Sequence, residues 1–177
     1  GTDDNSSTTI TDSDFAATTD SWTVQTAAAL RVNSVTTTPT TVSSSQASIA
    51  VTIAVENTGE ASASSLDIAA ADLTLKQGAT DKSSEYTLAC SNCSGSDLTI
   101  AGGTIKTYNF TVTVGAAATT GATTLDCATI AGTDANSSSA ITDNNGATTT
   151  DSWTVQTATV LVIGAIAFTP TALVQGE

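Results

Sequence analysis

Residues 47–59 read ASIAVTIAVENTG and residues 106–115 read KTYNFTVTVG. In the first stretch Ile49, Val51, Ile53 and Val55 fall at every second position, and in the second Tyr108, Phe110, Val112 and Val114 do the same. A period of two puts each set on one face of a pleated strand. Asn57-Thr58-Gly59 closes the first run as a turn, and Ala101-Gly102-Gly103 leads tightly into the second. Outward from these two strands the alternation is shorter but recurs. Leu30 to Val35 starts a run that breaks at Thr38-Pro39-Thr40, where a proline without an amide donor suits an edge or a bend. Leu66 to Leu75 is irregular and apolar, with room for one or two strands. Tyr86, Leu88 and Cys90 alternate, then Leu98 and Ile100, then Leu125, Cys127 and Thr129, and finally Trp153 and Val155 within Ser152–Thr157. The Asp/Asn/Ser-rich stretch after Gly132 reads as a long polar loop. Seven or eight short strands with no helix-length segment predict an all-β fold, a β-sandwich of about seven antiparallel strands with a Val/Ile/Leu-rich core.

Composition agrees. Thr, Ser and Ala dominate the 177 residues, and Thr and Val favour a half-buried pleated surface. Seventeen acidic residues stand against Arg31, Lys76, Lys82 and Lys106, a formal charge of −13. Phosphate backbones and anionic membrane surfaces are repelled by such a chain, so nucleic acid is not an expected partner. The most apolar run, Val160 to Phe168, is far below the roughly 20 residues that a membrane-spanning helix needs. The chain opens on Gly1 without a recognisable signal peptide, so its true N-terminus is expected elsewhere or processed away.

The sequence also repeats itself. Residues 1–30, GTDDNSSTTITDSDFAATTDSWTVQTAAAL, align without a gap on residues 132–161, GTDANSSSAITDNNGATTTDSWTVQTATVL. TDSWTVQTA recurs letter for letter, with Trp22 on Trp153 and Gln25 on Gln156, and Thr38-Pro39-Thr40 matches Thr169-Pro170-Thr171. An offset of 131 residues, Gly1 to Gly132, is a domain length rather than a solenoid period. The expected organisation is one complete repeat at residues 28–158. Residues 1–27 form the C-terminal part of a preceding repeat, and residues 159–177 the first strand of the next. Such a chain is expected to be a window onto a longer array, or to have its ends completed by other subunits.

The stretch TPTTVSSSQASIAVTIAVENTGEASASSLDI, followed by LTIAGGTIKTYNFTVTV, resembles the immunoglobulin-like repeats of bacterial and archaeal surface proteins, close to the CARDB-like group of cell-adhesion-related domains. The strand end at Val51–Glu60, V-T-I-A-V-E-N-T-G-E, and the A-G-G-T entry before Phe110 carry the likeness, which covers about residues 30–130. It implies an immunoglobulin-like sandwich in a secreted tandem array, with adhesion or scaffolding as the usual role. Those motifs are structural and carry over no catalytic residue.

Little in the chain supports catalysis. Without histidine, a Ser-His-Asp or Cys-His arrangement is impossible within it, and its carboxylate pairs sit in Ser/Thr-rich loops, so an enzyme is not expected. Cys90 and Cys93 form a lone C-S-N-C, a poor zinc site that suits a structural disulfide in an exported protein better. The expected bond ties Cys127 to Cys90 or Cys93, with a local Cys90–Cys93 bridge as the rival. Asp134 and Asn136 with Asp143 and Asn145 offer oxygen ligands for Ca²⁺, without EF-hand spacing, against the simpler reading of Asx turns in a solvated loop. No other cofactor is implied. Sequons at Asn5, Asn92, Asn109 and Asn136 are candidate glycosylation sites. Trp22 and Trp153 read as core or inter-unit packing anchors at the seam, joined by Val160, Ile163, Ile166 and Phe168, whose two-faced apolar pattern asks for cover on both sides. The expected function is a structural repeat of an extracellular filament or surface fibre, its partners copies of itself or adjacent repeats. The alternative is an adhesin or carbohydrate-binding module of a cell-surface protein.

Overall fold

The computed structural model describes residues 1–9, 11, 20–68, 73–127, 129–143, 149–165 and 175. Among them are twelve strands: β1 (Leu30–Thr38), β2 (Thr41–Ser43), β3 (Ile49–Asn57), β4 (Ala63–Asp67), β5 (Leu73–Gln77), β6 (Thr80–Asp81), β7 (Tyr86–Cys90), β8 (Thr104–Val114), β9 (Gly121–Cys127), β10 (Ala131–Asp134), β11 (Ala140–Thr142) and β12 (Thr150–Gln156). The chain is all-β. Its strands form a four-stranded sheet in the order β1-β3-β8-β7, a five-stranded sheet β2-β12-β9-β5-β6 and a three-stranded sheet β11-β10-β4. All pairings are antiparallel except β12 with β2.

The two strands that decided the reading lie side by side at the centre of the four-stranded sheet. Ile49 faces Val112, Val51 faces Phe110 and Ile53 faces Tyr108, so both alternating sets enter one core. Pro39 marks the place where the chain leaves β1 in one sheet and enters β2 in the other. From the five-stranded sheet Leu75, Leu125, Cys127, Trp153 and Val155 join the same buried cluster. The rings of Tyr86 on β7 and Trp153 on β12 meet edge to face, 5.7 Å between centroids, which ties the two sheets together. Among the described residues no helix is long and apolar enough to cross a membrane.

The polar stretch after Gly132 is not a loop throughout. It forms the β10–β11 hairpin, and β10 also pairs with β4. These strands and the very short β2 and β6 carry no apolar alternation, so period-two patterning passes them over. Backbone pairing to a neighbouring strand makes them strands.

Register fixes where the chain enters and leaves this body. Leu30 at the start of β1 and Thr104 at the start of β8 both pair with Asn57. At the other end of β8, Val114 N–H donates to Gln46 O, and Gly115 O accepts from Ser45 N–H. Gln156, the last residue of β12, reaches that same end, pairing with Ser43 while its carbonyl accepts from Ser44 N–H. Entry and exit thus lie a β8 length apart, about 35 Å for eleven residues of strand.

Candidate functional site

The nonapeptide TDSWTVQTA occurs twice and meets two fates. In residues 150–158 it supplies β12, with Trp153 opposite Thr123 of β9 and Val155 beside Val42 of β2. Trp153 and Val155 are each 1% exposed there. In the first copy the described residues 20–27 form no strand, and Trp22 and Val24 are 87% and 83% exposed. Identical side chains differ only in whether a β9 and a β2 lie beside them. The next segment behaves likewise: Leu30 and Val32 are wholly buried in β1, whereas their counterparts Leu161 and Ile163 are 91% and 81% exposed, as is Val160 at 78%. Of the two expected roles, core or inter-unit anchor, Trp153 takes the core position, packed edge to face against Tyr86. Ile166 and Phe168 lie outside the described residues.

Residues 25–29 are held in place by hydrogen bonds to the Asn57–Ala61 turn and to Asn136. Thr26 N–H donates to Glu60 Oε2 at 2.8 Å, Glu60 N–H to Thr26 Oγ1 at 3.1 Å, and Ala61 N–H to Thr26 O at 3.0 Å. Gln25 Nε2 reaches Glu60 O at 3.3 Å, and Gln25 Oε1 accepts from Asn136 Nδ2 at 2.8 Å. Ala29 N–H donates to Asn57 Oδ1, and Ala29 O accepts from Thr58 N–H. Asn57 is fully buried and also donates through Nδ2 to Ala61 O at 2.8 Å and Ile100 O at 3.2 Å. Gly59 is required by proximity, because a Cβ there would run into the carbonyl of Ala27. Gly102 is required in the same way by the carbonyl of Glu60. The N-T-G-E turn and the A-G-G-T turn, far apart in sequence, therefore stack on one another and on the incoming chain. Sequence reading found both turns but not their common purpose. The available signal was a glycine in each turn with no apolar pattern to explain it.

Three aspartates extend the anchorage along the incoming chain. Asp134 Oδ2 accepts from Ala28 N–H at 2.7 Å, Asp143 Oδ1 from Val32 N–H at 3.2 Å, and Asp151 Oδ2 from Thr37 N–H at 2.6 Å and Thr37 Oγ1 at 2.9 Å. β1 is an edge strand among the described residues, so the carboxylates of Asp143 and Asp151 satisfy backbone donors of β1 that no described neighbouring strand meets. Asp3, Asp12 and Asp20 occupy the same three positions in the first copy of the repeat.

Asp134 is the most engaged of the three. Its Oδ1 accepts from Asn136 N–H, Ser137 N–H and Ser137 Oγ. Donation by Ala28 N–H, then by Ser137, holds its carboxyl down at about 2. At the exit end Glu85 is likewise held at about 2, by Thr119 N–H and then by Lys82. In the unfolded chain both groups take up protons near their ordinary values of 3.8 and 4.5. Their contribution to stability is therefore complete above that range and is lost as pH falls toward about 2. Thermal midpoints should fall steeply across this window in the parent chain. In the Asp134→Asn/Glu85→Gln variant they should start lower and change less with pH.

The described residues bring together no group of three or more acidic or thiol side chains, and Asp134 has both oxygens committed to N–H and O–H donors. Asn145 lies outside the described residues. Of the sequons, Asn5 is exposed in a turn and Asn109 is exposed on β8. Asn92 Nδ2 donates to Thr107 O, and Asn136 Nδ2 is the group bonded to Gln25. The disulfide joins Cys90 to Cys93, with Cα atoms 5.7 Å apart, and replaces the expected bond to Cys127. Cys127 points into the core from β9 opposite Leu73, whereas Cys90 ends the edge strand β7 and turns straight toward Cys93.

No family model and no curated protein matches this sequence.

Proposed function

We propose that this chain is a structural repeat of an extracellular filament or surface fibre, working by packing between repeats and between subunits. The observation that carries the proposal is the contrast between the two copies of TDSWTVQTA, one supplying a core strand and the other fully exposed with the same Trp and Val. An exposed copy of a core strand, at an offset of one domain, is what the end of a preceding unit would leave on this chain. Entry and exit at opposite ends of the body support an end-to-end array. The sheet orders support an immunoglobulin-like sandwich, with β1-β3-β8-β7 as one layer, β2-β12-β9-β5-β6 as the other, and β4, β10 and β11 as an addition at the entry side. In this reading residues 28–158 are one repeat, and Val160–Ile163 with the residues after it begin the next, covered by a neighbour's strands. No catalytic role or cofactor forms part of it.

Electron micrographs of the purified native material should show fibres. Leu161→Asp with Ile163→Asp should leave it dispersed, while circular dichroism and the melting midpoint stay unchanged, because both side chains are exposed within a single chain. Fibres that persist in this variant would remove inter-subunit strand addition from the proposal, and native material that is only ever monomeric would remove the filament. The adhesin alternative draws on Trp22, whose open indole is a surface on which a sugar ring could stack. Saturable quenching of tryptophan fluorescence by glycans, abolished by Trp22→Ala, would favour it.

A further inference from the structure

We infer that consecutive repeats are joined by a pinned joint of three residues, the Gln-Thr-Ala that follows the last buried residue of one unit's final strand and is held in a socket on the next. This rests on the repeat reading above and specifies the partner surface. Val155 is the last buried residue of β12, and its counterpart before the joint is Val24. The first buried residue after it is Ala28. Gln25, Thr26 and Ala27 are all that separates two successive cores, and none of them is slack. Gln25 is bound at both ends of its amide, Thr26 by backbone and side chain to Glu60 and Ala61, and Ala27 lies against Gly59. Asp134 then takes the amide of Ala28.

The socket is therefore the Asn57–Ala61 turn together with Asp134 and Asn136 of the β10–β11 hairpin. Its occupant is the extension of the preceding unit's last strand. Gln156-Thr157-Ala158 repeats the occupant letter for letter and is exposed in this chain, so it is a complete plug for the socket of the following repeat. A tether this short and this bonded fixes the angle between units. It sets an axial rise of roughly 40–45 Å, one β8 length plus three extended residues.

The repeat supplies its own control for hydrogen exchange on the full monomeric chain. The amides of Thr26 and Thr157 have the same neighbours in sequence, but only Thr26 has a socket. Thr26, Ala28 and Ala29 should exchange on the order of a hundredfold more slowly than Thr157. Glu60→Ala should bring Thr26 to the Thr157 rate while Ile53 and Val112 stay protected. Should that variant loosen the core as well, Asn136→Ala, which removes a contact to Gln25 from an exposed position, should still accelerate exchange at Thr26. Equal rates for Thr26 and Thr157 in the parent chain would overturn the joint. Fibres whose units show variable spacing and free bending would also overturn it, while leaving the filament proposal standing.

Discussion

Trp153→Ala is expected to destabilise the chain by about 3–5 kcal/mol, the range for removing a large aromatic from a closed core. Trp22→Ala in the same chain should change stability by less than about 0.5 kcal/mol. The two residues sit in identical nonapeptides, so local propensity, neighbouring residues and unfolded-state effects cancel in the comparison. What differs is that Trp153 is 1% exposed with Tyr86 across from it, while Trp22 is 87% exposed. Among the described residues the indole N–H of Trp153 meets no acceptor, and its ring packs edge to face on Tyr86, so Trp153→Phe should keep most of the stability that Trp153→Ala loses. Urea titrations of the three variants, followed by circular dichroism, measure this directly. Equal losses at Trp22 and Trp153 would show that the first copy is folded into a core of its own.

Asn57→Ala should cost roughly 2–4 kcal/mol, because a fully buried side chain with four hydrogen-bond partners disappears from the centre of the entry end. The amides of Ala29 and Gly59 lose their acceptor and the carbonyl of Ala61 loses its donor. Asn57→Asp should be at least as harmful although it keeps both acceptor contacts. Its carboxylate would point an oxygen at the carbonyls of Ala61 and Ile100, which the amide of Asn57 now serves as donor. Denaturant midpoints give the size of the effect. Exchange at the Ala29 amide shows whether the loss is seated at the entry or spread through the fold. If Asn57→Asp proves milder than Asn57→Ala, the two donor bonds contribute less than the acceptor bonds.

How much of this was legible beforehand depended on how local each feature is. The strands with clean alternation, β3 and β8, could be read to within a residue or two, because burying one face of a strand needs little more than every second side chain to be apolar. The β10–β11 hairpin escaped, since its strands are polar and owe their pairing to β4. The cysteine pairing is not legible in the sequence for a related reason. Alternation in β9 correctly turned Cys127 inward, but only the placement of β7 at a sheet edge shows why Cys90 meets Cys93 instead. As sequence, Asp134, Asp143 and Asp151 are simply acidic residues among Ser, Thr and Asn. That they hold backbone amides of residues 28, 32 and 37 depends on packing across more than a hundred residues of chain.

The repeat separates the two kinds of information within one molecule. In the first copy, Asp3 accepts from Asn5 N–H, and the amides of Asp3 and Ser7 bond to Thr8 O and Asp3 O. In the second, Asp134 accepts from Asn136 N–H, and the amides of Asp134 and Ser138 bond to Ser139 O and Asp134 O. Ser7 and Ser138 even share a positive φ, 56° and 58°. That turn forms in both copies, because every partner lies within five residues, and the local sequence is enough to determine it. TDSWTVQTA does not behave this way. Its strand is completed by hydrogen bonds to β9 and β2 and by a core that Trp153 must enter, none of which the nonapeptide contains. Tertiary structure decided which copy became a strand, and it did so because a β-strand satisfies its backbone and buries its side chains only against other strands.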